Sequence, residues 1–167
     1  MDVLDRLLAH DYWTTRLLLV LSTDLSDAQL DCPFDIGHET LRRTFVHIIG
    51  NMEVWTDLLY ERPVRSRATA ASTQSILGLI ARLDAIAPDF AAIARRIRDE
   101  GREDDCFTDV LDEPPRRKTY GGAIGHLITH SMQHRSEVLH ILKRLGMPDL
   151  PEGDLLTWES AGPDRHT

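Results

Sequence analysis

TYGGAIGHLITHSMQHRSEVLHILKRL, residues 119–145, carries its apolar side chains at helical intervals. Ile124, Leu127, Ile128, Val138, Ile141, Leu142 and Leu145 recur at the spacings of an amphipathic helix, not those of a strand. Thr119 is suited to cap its start, and Gly146 followed by Pro148 ends it. The same stretch sets His126, His130 and His134 four residues apart, so that neighbouring pairs share a helix face.

Working outward, three more blocks repeat the pattern. The first covers roughly residues 2–23 and is marked by Val3, Leu4, Leu7, Leu8 and Leu18. The second covers roughly 38–61, through Leu41, Phe45, Ile48, Met52, Trp55 and Leu59, and stops at Pro63. The third covers roughly 72–100, with Ser72 or Thr73 as its expected cap and Gly101 as its end. Pro88 lies inside this block and predicts a kink or a split near Ala87. Between the third and fourth blocks runs a polar connection, residues 102–118, in which Cys106–Val110 could form a short extended piece. Beyond Met147 the chain is rich in Pro and Gly, with Leu155, Leu156 and Trp158 available to dock on the helices.

Four amphipathic helices with one long connection, between the third and the fourth, predict an all-α fold: an up-down four-helix bundle. An irregular all-α fold is the alternative. Residues 1–158 are expected to form one domain and residues 159–167 a flexible tail.

Composition narrows the function classes. The chain has 167 residues, enough for one domain with a sizeable core. Its net charge of −8 argues against a nucleic-acid partner, which needs a basic face. No segment is apolar enough to cross a membrane, and the N-terminus MDVLDRLLAHDYW lacks the pattern of a secretory signal. A cytoplasmic location is therefore expected. Cys32 and Cys106 stand far apart, form no CxxC pair, and read as reduced thiols.

The chemistry rests on the histidines. At roughly 100° per residue, His134 falls within about 20° of the stripe through Leu127, Val138 and Leu145. On the same wheel His130 lies about 60° off and His126 about 100° off. His130 and His134 therefore point inward, His126 lies at the rim, and His140 points out. On the second helix His47 sits beside the apolar stripe, in line with Val54 and Leu58. A buried imidazole needs a partner, and three on two helices could share a metal ion. The plain alternative is that these histidines only pack or hydrogen-bond.

Other groups are weaker candidates. Asp11 falls on the apolar stripe of the first helix and could orient a histidine, or simply be a hydrogen-bonded buried carboxylate. Asn51, one turn after His47, could be a polar pocket group. Glu137 follows His134 by three and could also reach it, but reads more simply as an exposed, salt-bridged side chain. Arg135 reads as an ion-pair partner. Gly121, Gly122 and Gly125 match no phosphate loop, and no GxSxG or HExxH motif occurs.

Several segments together resemble a known family. They are His10-Asp11-Tyr12-Trp13 through Leu21, Thr40 through Ile49, His126 through Arg135, and Leu142 through Gly146. In order and spacing they resemble the DinB-like (damage-inducible) superfamily, which includes bacillithiol and mycothiol S-transferase-like proteins. The resemblance implies a four-helix bundle, a homodimer, and a three-histidine metal site on His47, His130 and His134. Ser136-Glu137 stand where Gly-Gln usually follows the arginine, a departure on the substrate side of the motif.

The expected function follows from both readings. The protein is expected to hold a divalent transition metal, zinc or nickel first and iron next. It would activate a small thiol or water for transfer to, or hydrolysis of, a small electrophilic substrate. The low-molecular-weight thiol is implied by the resemblance. The second reading is a non-catalytic stress-response bundle that binds a metal or small ligand.

Overall fold

Each long apolar block becomes a helix with its own cap. The structure is a computed structural model and describes residues 1–66 and 74–161. Helix α1 is Val3–Leu21, capped by the Asp2 carboxylate, which accepts from the Asp5 N–H at 2.8 Å. Helix α2, Asp27–Leu30, is a single turn closed by a reciprocal Ser26–Gln29 capping box. Helix α3, Leu41–Leu59, starts on Thr40. Helix α4, Ile76–Asp99, starts on Ser75, whose hydroxyl accepts from Gly78 N–H; the expected caps Ser72 and Thr73 lie outside the described residues. Helix α5, Tyr120–Arg144, starts on Thr119 as expected. Helix α6 is Leu155–Ala161.

Pro88 does not split its helix: α4 runs unbroken from Ile76 to Asp99. Proline removes one ladder hydrogen bond and crowds the preceding turn, a cost of about 3 kcal/mol. Ala87, Phe90, Ile93 and Ala94 are all buried around it, and that packing outweighs a local breaker.

The lateral order differs from the sequential one. Helix α1 packs against α4 and α5, and α3 packs against the same two. Consecutive helices α1 and α3 therefore lie on one diagonal, and α4 and α5 on the other. Each diagonal link needs a long connection. The first, residues 22–40, carries α2, and the second, residues 100–119, carries a hairpin. In that hairpin β1, Cys106–Asp109, pairs antiparallel with β2, Arg116–Thr119, with Phe107 opposite Lys118. The short extended piece read from the sequence is thus half of a two-stranded unit. Lys118 pairs with Asp109 and Asp112 inside this hairpin.

The core is one cluster in which Leu18, Phe45, Ile49, Leu79, Leu83, Val138 and Leu142 are fully enclosed. Three buried carboxylates, Glu53, Asp57 and Asp11, tie segments together through arginines. Glu53 on α3 takes Arg82 of α4 through two bonds of 2.9 and 2.7 Å. Asp57, 1% exposed, accepts from Arg62 and Arg65. The hydrogen bond from Arg65, with help from Arg62, holds the Asp57 carboxyl far below the usual carboxylate range. Asp11 on α1 pairs with Arg135 on α5, both 2% exposed.

Trp158 of α6 is 3% exposed, and its ring meets His10 edge-on at 6.1 Å. His10 also contacts the Gly153 carbonyl at 3.0 Å through Nε2. Leu156 remains exposed. Helix α6 runs on to Ala161, so the tail expected from residue 159 begins inside a helix; residues 162–167 lie outside the described residues.

Candidate metal centre

Helices α3 and α5 are neighbours, and their inward flanks bring three imidazoles together. Nε2 of His47 lies 3.4 Å from Nε2 of His130, and Nε2 of His130 lies 3.2 Å from Nε2 of His134. The ring centroids of His47 and His134 are 4.6 Å apart. His134 is 6% exposed, while His47 and His130 are half-buried. Two nitrogens bound to one tetrahedral ion at 2.0–2.1 Å would lie about 3.3 Å apart, and the two measured separations bracket that value. The donor set could hold a divalent transition metal.

The electrostatics suit neutral ligands. Burial, followed by the neighbouring His134, pushes His130 below the ordinary histidine range. Metal ligation requires the same neutral form.

His134 has an orienting partner. Its Nδ1 lies 2.7 Å from Oε2 of Glu137, whose side chain is 15% exposed. With the Nδ1 proton donated to that carboxylate, Nε2 keeps only its lone pair and aims it at His130. The expectation that Glu137 is an exposed, salt-bridged side chain is thereby corrected. The i,i+3 spacing was visible; what hid the contact was the loop that covers it.

That loop connects α2 to α3. Gly37, at φ +50°, passes so close that a Cβ there would stand 2.1 Å from Glu137 Oε2. The next residue, His38, lies over the imidazole cluster: its ring centroid is 3.8 Å from that of His47 and 5.1 Å from that of His134. Donor atoms of His38, His47 and His134 all fall within 4.8 Å of one another. Helical periodicity could not single out His38, because it belongs to no helix.

The remaining candidates separate. Asn51 is at the cluster, with Nδ2 3.0 Å from His47 Nε2 and 3.4 Å from His130 Nδ1. Asp11 is not; its carboxylate belongs to Arg135 instead of orienting one of the three imidazoles. Arg135 also reaches Ser131 Oγ one turn back on α5 at 3.2 Å, while its pair with Asp11 ties the residue beside His134 to α1. His126 is exposed at the rim, 5.3 Å from the Trp55 ring and 5.1 Å from His130. His140 is exposed.

A cleft of about 380 Å³ opens beside the cluster, lined by His38, His47, Asn51, Val54 and Arg82 among others. A family model described as the DinB superfamily matches residues 10–138. The chain belongs to the DinB superfamily. The matched span holds all of the histidine cluster, from His38 to His134, together with Glu137. No curated protein matches this DinB-superfamily chain. No helix of it is long and apolar enough to cross a membrane among the described residues.

Proposed function

We propose that His47, His130 and His134 of this DinB-superfamily protein hold a divalent transition metal, zinc or nickel before iron. We further propose that the protein is an enzyme activating a small thiol or water toward a small electrophile. The observation that carries the reading is the convergence of the imidazole nitrogens at separations of 3.2 and 3.4 Å. Three imidazoles leave at least one position for a further ligand, the pattern of catalytic rather than structural sites. When bound, a divalent cation lowers the pKa of a thiol or water at that position.

The chain's own residues supply the rest. Glu137 fixes the tautomer and aim of His134. Asn51 offers an amide between His47 and His130, where it can bond a polar substrate atom. The cleft beside His47 has room for a small molecule, and Val54 gives it an apolar wall. A low-molecular-weight thiol as co-substrate, a homodimer, and a cytoplasmic location belong to the same proposal.

Metal analysis of protein made without a histidine tag tests the centre. Stoichiometric zinc or nickel, lost in His47→Ala, supports it; metal-free protein with unchanged affinity in the variant defeats it. A panel of small thiols and electrophiles tests the enzyme reading against the non-catalytic one. Turnover that disappears on chelation and returns with metal supports catalysis.

A further inference from the structure

We propose that His38 is a fourth nitrogen ligand of this centre, carried on a loop, so that the resting shell is closed by protein. The inference rests on the three-histidine reading above and adds to it a residue that no helix supplies.

Position comes first. His38 shares one set of donor atoms with His47 and His134, all within 4.8 Å of one another. The donor atoms of His38, His47 and His134 lie within a span of 4.8 Å, against a tetrahedral edge of about 3.3 Å, and rotation of a half-buried side chain on a turn can close the difference. Its ring already lies 3.8 Å from that of His47.

The loop is built to keep it there. Phe34 N–H donates to the Glu39 carbonyl at 2.6 Å, and Glu39 N–H donates to Ile36 at 2.9 Å, which closes the turn on both sides of His38. Gly37 rests against the carboxylate that orients His134. The loop is therefore seated on the centre's own support.

The two kinds of support differ in stiffness. His47, His130 and His134 stand on long helices locked by packing, whereas His38 stands on a turn. Four protein nitrogens close a tetrahedral shell. An external ligand would then enter by displacing His38, the one of the four carried on a turn and not on a long helix. The centre is closed at rest and opens at a defined side, toward the cleft that His38 also lines.

Cobalt(II) loaded into the full, untagged chain reports the shell through its visible absorption, and X-ray absorption of the zinc form counts imidazoles. Wild-type protein is expected to show intense four-coordinate cobalt bands. His38→Ala is expected to retain the metal, show one imidazole fewer, and give the weaker bands of a shell that has taken up water. Added imidazole should restore the wild-type bands in His38→Ala. An unchanged spectrum and imidazole count in His38→Ala overturns the fourth ligand and leaves the three-histidine centre standing. Absence of metal from wild-type protein, or unchanged affinity in His47→Ala, overturns both.

Discussion

Glu137 Oε2 sits 2.7 Å from His134 Nδ1, one turn further along the same helix. The pair sets which nitrogen of His134 faces the other imidazoles, because the carboxylate accepts a hydrogen bond from the N–H on the far side of the ring. Loss of such an orienting partner typically weakens metal affinity by about 10–100-fold. Glu137→Ala is therefore expected to weaken zinc binding by about that factor, and Glu137→Gln by less, since its amide oxygen can still accept. Competition against a chromophoric chelator measures both; wild-type affinity in Glu137→Ala rules the role out.

Gly37 depends on the same carboxylate. A Cβ would meet Glu137 Oε2 at 2.1 Å, and the backbone is held at φ +50°. Gly37→Ala is expected to cost about 1 kcal/mol from backbone conformation alone. Because Glu137 must also move aside, the same variant should bind metal less tightly. Thermal melts with and without zinc separate the two effects: the metal-free melt reports the first, and a smaller zinc-induced rise in Tm reports the second.

The Asp11–Arg135 pair joins α1 to α5 out of contact with water. Removing one partner leaves a buried charge, at a cost of about 3–5 kcal/mol. Asp11→Ala is expected to destabilise by that amount, while Asp11→Leu combined with Arg135→Met recovers most of it. Chemical denaturation of the single and double variants reads the coupling directly. Equal losses in both would show that the ion pair itself, not its disruption, supplies the stability.

Asp57 gives the acid side of the stability profile a defined source. Its folded pKa is depressed by Arg65 and Arg62, so in acid the unfolded chain binds more protons than the folded one. Its contribution is complete above the unfolded carboxylate pKa of about 3.9 and falls away as pH drops below that value. Asp57→Asn is expected to be less stable at neutral pH and to show a flatter decline below about pH 4. Urea midpoints measured across this range decide the matter.

Much of the fold was legible because helices advertise themselves by period. All four long blocks became helices, and Thr119, Gly101 and Gly146 performed the capping and stopping roles their chemistry predicts. Of the two outcomes expected at Pro88, a kink or a split, the split does not occur, because a local breaker was weighed without the packing of Ala87 and Phe90 around it. The diagonal order of helices leaves no trace in periodicity, since each helix shows which face is buried and not against whom. At the centre, wheel direction brought His47, His130 and His134 together from the residues alone. It could not find His38, which sits in a turn, nor rank Glu137, whose cover comes from Gly37 a hundred positions earlier.

His47 and His130 are separated by 83 residues, and the cluster forms only where α3 meets α5. This sets an order of events during synthesis. While the ribosome is still extending the chain through the hairpin, His38 and His47 have already emerged but their two helix-borne partners do not yet exist. A nascent chain at that stage offers a passing metal ion no more than a weak, two-imidazole foothold. An ion held at the proposed centre would therefore be acquired late, after α5 has been made and docked, with the last long helix as the gate for loading.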